Sequence, residues 1–363
     1  MSDPLLSVED LQTHFHTPDG TVKAVDGASF EVDRGETVCL VGESGSGKTV
    51  ACESITKLFP TPPGELVDGR IVFDGTDLAA RSSADLADVR GGRIAHVFQN
   101  PQGALDPVYS IEAQLVEAIQ IHRDVSKTAA RERGIELLDR VGIPEAATRI
   151  EEYPHEFSGG MKQRVVIAMA LAAEPDLLIA DEPTTALDVT TQAGILDLLN
   201  DIKAERDMAL LFVTHDLGVV AEMADRVVVL YAGKVMERGD VHAVFDSPAH
   251  PYTQALFRCL PGRGDRRETI EGGLPSAIEP PAGCRFHPRC PHAIADCTEG
   301  DQPPLEPTDG ESHVAACVFY GEGYDASAVR SAAERTGGQS GKGRADGGRD
   351  PDRSHEENEG ERR

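Results

Sequence analysis

Short runs of apolar residues recur along the first two thirds of the chain, with stretches of helical spacing between them. Helical spacing is clear at Ile195, Leu198, Leu199 and Ile202, where apolar residues return every third or fourth position. This alternation predicts an α/β fold with a mainly parallel sheet flanked by helices, and an antiparallel β edge at the N-terminus. The runs that we interpret as strands are residues 37–41, 71–73, 94–98, 177–180, 210–213 and 227–230.

The pattern divides the chain into three parts. Residues 5–240 carry the strand–helix alternation, and within them residues 100–165 show only helical patterns, which predicts an inserted helical subdomain. Residues 241–320 are rich in Pro and Cys and predict a small, loop-rich C-terminal appendage. Residues 325–363 have few apolar side chains to bury, which predicts a disordered tail.

The charge balance is strongly acidic, with 62 Asp and Glu against 35 Lys and Arg and a formal net charge of −27. Such a surface repels nucleic-acid phosphates, so we expect no nucleic-acid partner. The acid excess and the scarcity of lysine favour a halophile, whose salty cytoplasm screens self-repulsion, with an ordinary acidic protein as the alternative.

No apolar run approaches the length of a membrane-spanning helix. The longest, residues 165–173, ends at Glu174, whereas a span needs about 20 apolar residues. Residues 1–10 lack the basic and apolar segments of a secretory signal. We therefore expect a cytosolic protein; if it works at a membrane, another polypeptide spans that membrane.

A glycine-rich motif lies between the strand at 37–41 and a helical run at 49–58. It fits the phosphate-binding pattern G-x-x-x-x-G-K-S/T, in which glycines let backbone N–H groups surround phosphate oxygens at a helix N-terminus. Lys48 would reach the β- and γ-phosphates of ATP, and the Thr49 hydroxyl would bind Mg²⁺. The predicted nucleotide-binding residues are Gly42, Glu43, Ser44, Gly45, Ser46, Gly47, Lys48, Thr49 and Val50.

Two carboxylates follow the apolar strand at 177–180. Asp181 suits the Mg²⁺ shell, and Glu182 is placed to polarise the water that attacks the γ-phosphate. A buried strand that ends in acids is common in proteins without any catalytic role. The phosphate loop earlier in the chain makes the catalytic interpretation the stronger one.

The segment Phe-Ser-Gly-Gly-Met-Lys-Gln-Arg spans residues 157–164. Its serine can cap the N-terminus of a helix, and the two glycines that follow expose backbone N–H donors there. It resembles the signature motif of ABC ATPases, with Phe157 where Leu is usual. Other residues fall in the order that this family requires, namely Gln99, Asp188 and His215.

The resemblance to ABC ATPases covers roughly residues 5–320 and implies a RecA-like, phosphate-loop core. It implies that Glu182 is the catalytic base, that His215 contacts the γ-phosphate, and that Gln99 links Mg²⁺ and the γ-phosphate to the membrane partner. Phe15 resembles the aromatic residue that stacks on adenine. The resemblance also implies that two subunits bind head to tail, and that each completes the other's nucleotide site with its own Ser158, Gly159 and Gly160. Asp188 is assigned to the nucleotide site as well.

Longer matches indicate a narrower family. The segments at 153–164, 180–190, 250–253 and 281–291 resemble the ATPase subunits of oligopeptide, dipeptide and nickel importers. This resemblance implies an ATPase that drives di- or oligopeptide uptake from the cytoplasmic face of the membrane. The implied partners are a second ATPase subunit, expected to be a paralogue, two transmembrane permeases and, indirectly, an extracellular substrate-binding protein.

A group of cysteines falls within the predicted appendage. Disulfides are improbable in a reducing cytosol, and the C-x₂-C knuckle of structural zinc is missing. By resemblance to relatives, the four thiolates would hold a 4Fe–4S cluster. Zinc, with His287, His292 or His313 as substitute ligands, and unmetallated thiols are the alternatives. The predicted cluster ligands are Cys284, Cys290, Cys297 and Cys317.

Besides an importer, three other functions are possible for an ABC ATPase of this length. Members that act in translation usually carry two cassettes, whereas this chain has one phosphate loop. Members that act in DNA repair insert a long coiled coil, but residues 48–158 lack sustained heptads. An exporter is the third possibility, and the importer-type C-terminal segment argues against it.

Overall fold

The computed structural model describes residues 3–99, 101–185, 187–259, 270–308, 310 and 312–330. Most of the predicted disordered tail therefore lies outside the described residues. The strands are β1 (Leu6–Thr17), β2 (Gly20–Val32), β3 (Thr37–Val41), β4 (Gly64–Phe73), β5 (Thr76–Asp77), β6 (Ile94–Val97), β7 (Leu177–Asp181), β8 (Ala209–Thr214), β9 (Arg226–Tyr231), β10 (Lys234–Asp240), β11 (Glu306–Pro307) and β12 (Val314–Ala315). The helices are α1 (Lys48–Ile55), α2 (Pro101–Ala104), α3 (Ile111–His122), α4 (Lys127–Arg140), α5 (Ala146–Arg149), α6 (Gly159–Ala170), α7 (Val189–Arg206), α8 (Leu217–Met223), α9 (Val241–Asp246), α10 (Pro251–Arg258) and α11 (Ser327–Arg330).

The strands form two sheets. The main sheet has the order β11-β12-β10-β9-β3-β8-β7-β6, and its strands from β9 to β6 are parallel. The second sheet is antiparallel, with the order β2-β1-β4-β5. The expected N-terminal antiparallel strands are thus a separate sheet and not an edge of the parallel one, because β1 pairs with β2 on one side and with β4 on the other.

The main sheet is buried on both faces. Along β3, Val38 and Leu40 pack in the cluster shared with the antiparallel sheet, whereas Cys39 and Val41 pack in the cluster on the opposite face. Successive side chains of a strand point to opposite faces, so a sheet covered on both sides needs apolar residues at consecutive positions. This requirement explains why the strands were recognisable as continuous apolar runs.

The inserted helical subdomain lies between β6 and β7. Helices α3, α4 and α6 pack on one another, and Leu115, Ile119 and Leu138 belong to the main hydrophobic cluster. Among the helices of the described residues, none has both the length and the apolar content needed to cross a membrane.

The region after residue 240 packs closely on the rest of the chain. Strand β12 continues the main sheet by pairing with β10. The side chains of Cys284, Phe286 and Cys297 belong to the same hydrophobic cluster as the helical subdomain. The sequence predicted a compact appendage, but a loop-rich segment with few apolar residues cannot bury a core alone. This C-terminal extension therefore shares its core with the ATPase domain.

Candidate active site

The phosphate loop joins β3 to α1 and requires glycine at two positions. Gly42 has φ of +152°, and a Cβ there would approach the Leu230 carbonyl oxygen to 2.1 Å. Gly47 has φ of +104°, and a Cβ there would approach the Ala24 carbonyl oxygen to 2.3 Å. Both conformations are ones that residues with a Cβ rarely adopt, so the loop can pass this close to its neighbours only with glycine.

Lys48 lies inside the loop and is almost fully buried. Its Nζ donates to the carbonyl oxygens of Gly42 at 2.8 Å and Glu43 at 2.9 Å. Burial lowers the pKa of Lys48, and the nearby carboxylates of Glu182 and Asp181 oppose that shift. The loop thus encloses a positive charge where a phosphate would need one.

Asp181 ends β7 beside the start of α1, where it meets Thr49. Burial raises the pKa of the Asp181 carboxyl, and a hydrogen bond from Thr49 acts in the opposite direction. A hydroxyl and a buried carboxylate side by side provide oxygen ligands of the kind that Mg²⁺ prefers. The residues present therefore fit the predicted Mg²⁺ ligand set.

Glu182, the next residue, is held by three side chains, two of which come from distant parts of the sequence. Gln99 donates to Glu182 Oε2 at 2.8 Å, Thr185 donates to the same oxygen at 2.9 Å, and His215 Nδ1 lies 2.9 Å from Oε1. Burial raises the pKa of Glu182, but the hydrogen bonds from His215, Thr185 and Gln99 outweigh it, so the net shift is downward. The carboxylate is therefore ionised near neutral pH, as a proton acceptor must be.

A cavity of about 240 Å³ lies against the phosphate loop. It is lined by Lys48, Thr49, Gln99 and Glu182, which the sequence predicted to act together. Sequence reasoning missed Thr185, which could have been noticed because it follows Glu182 by three residues. It also missed the wall that the C-terminal extension contributes, namely Leu274, Pro275 and Ala277.

The predicted signature residues lie outside the lining of this cavity. Ser158 caps α6, its Oγ accepting from Met161 N at 3.3 Å, and a Cβ on Gly160 would come within 2.4 Å of Thr191 Cγ2. Asp188 caps α7 by accepting from Thr191 N at 3.0 Å. Their nucleotide contacts within a pair of subunits stay predictions.

Phe15 is also absent from the cavity lining. It is partly buried on β1, and its ring meets that of Phe59 edge-on at 6.1 Å. Its predicted stacking on adenine therefore stays a prediction.

The four cysteines of the extension lie near one another. Burial raises the pKa of Cys317 to about 12, and Cys284, Cys290 and Cys297 are close enough to contribute to that shift. Within the described ranges, however, no three His, Cys, Asp or Glu side chains are grouped so that they could hold a metal ion. The side-chain geometry therefore does not support the predicted 4Fe–4S cluster or the zinc alternative.

Comparisons with known proteins identify the family of this chain. Residues 25–185 match the ABC transporter family, and residues 236–297 match the C-terminal region of oligopeptide/dipeptide transporters. The probable peptide ABC transporter ATP-binding protein y4tR of Sinorhizobium fredii is 47% identical over 320 residues, covering 87% of this chain and 95% of the relative. The oligopeptide transport ATP-binding protein OppD of Bacillus subtilis is 48% identical over 309 residues, covering 84% of this chain and 86% of the relative.

A solved structure supports the same assignment. The ATP-binding cassette MJ0796, in a dimeric post-hydrolysis state bound to ADP and Pi, aligns with a TM-score of 0.59 and 27% identity, covering 65% of this chain and 98% of the cassette. The phosphate loop and the paired acids lie in the part that the ABC transporter family covers. This chain is an ABC-type ATPase and belongs to the ATP-binding subunits of the oligopeptide/dipeptide ABC transporter family.

Proposed function

We propose that this chain hydrolyses ATP to drive the uptake of di- or oligopeptides through partner permeases. The cargo class is supported by relatives named for peptide, oligopeptide and dipeptide transport. Hydrolysis is supported above all by one observation, the carboxylate of Glu182 held by Gln99, Thr185 and His215 at the edge of the phosphate-loop cavity.

ATP binding is assigned to the loop between β3 and α1. Its backbone N–H groups and the N-terminus of α1 would surround the phosphates, and the charge of Lys48 would offset theirs. Thr49, Asp181 and Gln99 would hold Mg²⁺, which when bound neutralises phosphate charge. The hydroxyl–carboxylate contact between Thr49 and Asp181 supports this assignment.

Hydrolysis is assigned to the Glu182 carboxylate. It accepts a proton from the water that attacks the γ-phosphorus, and the lowered pKa keeps it ionised for that role. Gln99 and His215 fix the direction of the two carboxylate oxygens. The contact of His215 with the γ-phosphate is assigned from the family resemblance.

The complete site is assigned to two subunits bound head to tail. Support comes from the signature residues Ser158, Gly159 and Gly160, which lie outside the lining of this chain's own cavity, and from the dimeric cassette to which the chain is similar. The N-terminus of α6 would then present its N–H groups to the partner's nucleotide. We propose a paralogue as that partner.

The helical subdomain is the proposed contact with two transmembrane permeases, at the cytoplasmic face of the membrane. The large apolar side chains of Val108, Tyr109 and Ile121 are 73%, 57% and 69% exposed there. Exposed apolar residues grouped on one surface are typical of protein interfaces. An extracellular substrate-binding protein would act on the permeases and not on this chain.

The Glu182→Gln variant tests the function. It keeps the shape of the side chain but removes the proton acceptor, so turnover should fall by about 10²–10⁴-fold while ATP still binds. ATPase activity and uptake of a labelled peptide are measured on the assembled transporter in vesicles. Glu205→Gln, on α7, is the matched control and should behave as wild type. Near-normal hydrolysis in Glu182→Gln would contradict the catalytic assignment, and hydrolysis without peptide uptake would contradict the cargo.

We keep the 4Fe–4S cluster as a separate proposal for the extension. It rests on the resemblance to relatives, because the four thiols lie near one another but would have to turn toward a common centre before they could hold a cluster. Protein purified without oxygen should then contain about four iron and four sulfide per chain, and Cys290→Ser should lose both. Cys259→Ser, an exposed cysteine outside the group, is the control. Zinc without iron would support the alternative, and protein without metal would leave four packing thiols.

A further inference from the structure

A side chain of the C-terminal extension contacts the phosphate loop directly. The guanidinium of Arg289 meets the carboxylate of Glu43, with Nη1 at 2.9 Å from Oε1 and 3.2 Å from Oε2, and Nη2 at 3.2 Å from Oε2. The Arg289 side chain is only 6% exposed and that of Glu43 27%. Two nitrogens facing two oxygens form the forked arrangement that makes arginine–carboxylate pairs strong and directional.

Arg289 is itself fixed by further contacts. Its Nη1 donates to Tyr231 Oη at 3.2 Å, its Nε donates to the Glu271 carbonyl at 2.9 Å, and its Nη2 donates to the Ile270 carbonyl at 3.1 Å. Burial alone would lower the pKa of Arg289, but the hydrogen bonds to Glu43 and Tyr231 outweigh it and raise that pKa. A buried positive charge is therefore held rigidly against the loop.

The backbone of Glu43 is held from the same side. Its N–H donates to Tyr252 Oη at 2.9 Å, and the fully buried Tyr252 ring packs on Tyr231 at 4.5 Å and on Phe286 at 5.3 Å. The carbonyl of Glu43 accepts from Lys48 Nζ at 2.9 Å. Glu43 thus connects the extension to the lysine assigned to the phosphates.

Glu43 also raises an electrostatic difficulty that Arg289 resolves. It is the only acidic residue from Gly42 to Thr49, in a loop whose ligand is strongly negative. An unpaired carboxylate there would repel the phosphates, whereas a paired one is neutralised locally. We propose that Arg289 is a positioning residue for ATP: by pairing with Glu43 it orders the start of the phosphate loop and cancels its negative charge. ATP affinity then depends on the docked extension.

This inference rests on ATP binding at the phosphate loop and is tested on the full-length chain. Equilibrium binding of Mg²⁺-ATP is measured by calorimetry for wild type, Arg289→Met and Arg289→Lys. Coupling between two sites of a protein typically changes the affinity for a ligand by about 5–150-fold. We therefore expect Arg289→Met to bind ATP more weakly than wild type by a factor in this range. Arg289→Lys should be intermediate, because one ammonium keeps the charge but not the fork. In the assembled transporter, most of the loss should appear in the KM for ATP and little in kcat.

Arg285→Met is the matched control, because Arg285 is equally buried and also ties the extension to the main domain. It pairs with Asp26 on β2 and donates to the Ala232 carbonyl, without a contact to Glu43. Its loss should change ATP affinity much less than the loss of Arg289.

The double variant Glu43→Gln/Arg289→Met separates charge cancellation from simple attachment. Because the repelling carboxylate is gone, the double variant should regain much of the ATP affinity that Arg289→Met loses. Adding Glu43→Gln to Arg285→Met should give no such recovery of ATP affinity. Equal ATP binding by wild type and Arg289→Met would overturn the inference, as would equal losses in the two arginine variants or no recovery in the double variant. A wild-type chain that binds no ATP would instead overturn the assignment of the nucleotide site.

Discussion

Glu182 adopts a backbone conformation that glutamate rarely adopts, with φ of +45°. Non-glycine residues with positive φ cost energy and often occur at functional sites, where the surrounding structure holds them in place. Here the Glu182 N–H donates to the Val213 carbonyl at 2.9 Å, and Gln99, Thr185 and His215 fix the carboxylate. These contacts hold the proposed base at the edge of the phosphate-loop cavity in spite of its unfavourable backbone conformation.

At the residue scale, we predict a pH shift in Thr185→Val. The change removes one hydrogen bond that lowers the pKa of Glu182, so the effect of burial grows and that pKa rises. Because the ionised carboxylate is the active form, activity should be lost at a higher pH on acidification, while the plateau at higher pH is largely kept. The acid limb of kcat against pH measures this. The Thr184→Val variant changes the neighbouring threonine and should leave the limb in place; an unmoved limb in Thr185→Val would contradict the role of this hydrogen bond.

Several helices of this protein begin in the same way, with a serine whose hydroxyl accepts from a backbone N–H three residues on. Ser158 accepts from Met161 N at 3.3 Å at the start of α6, and Ser126 accepts from Ala129 N at 3.2 Å at the start of α4. Both elements therefore gain the same local stabilisation. Of these two helices, α6 carries glycines in its first turn and α4 does not, so α6 is the better suited to present backbone N–H groups to a ligand.

At the element scale, we predict that these two caps are separable in function. Ser158→Ala and Ser126→Ala should each lower the free energy of unfolding by about 0.5–2 kcal/mol, measured by urea denaturation. In the assembled transporter, Ser158→Ala should also lower ATPase activity, because the proposed partner nucleotide loses a donor, whereas Ser126→Ala should not. Equal activities in the two variants would show that Ser158 is only a helix cap.

The whole molecule combines a shared core with a large excess of negative charge. The extension contributes β12 to the main sheet and joins the main hydrophobic cluster, so the ATPase domain and the extension should unfold together. The net charge of −27 opposes the compact state through self-repulsion, which salt screens. The halophilic interpretation of the composition assumes that salt must screen this self-repulsion for the protein to stay folded.

At this scale we predict that stability depends strongly on salt. Screening reaches about 10 Å at 0.1 M salt but about 3 Å at 1 M, so repulsion among the surface carboxylates should be much weaker in molar salt. Thermal unfolding followed by circular dichroism should give a clearly lower Tm in 0.1 M than in 2 M KCl. Since sulfate also strengthens apolar burial, a chloride salt is the cleaner choice. Equal Tm values in the two buffers would refute the halophilic interpretation.

The sequence alone determined the parts of this protein that depend on local pattern. The parallel strands were recognisable because a sheet buried on both faces needs continuous apolar runs, and the phosphate loop because Gly42 and Gly47 have no room for a Cβ. Only the tertiary structure decided which distant residues meet. The wall at Leu274 joins the site through folding, and Arg289 pairs with Glu43 across 246 positions. The separate N-terminal sheet and the shared core of the extension likewise depend on how the elements pack. Contacts between distant segments produce no regular spacing of residues in the sequence, so no local pattern predicts them.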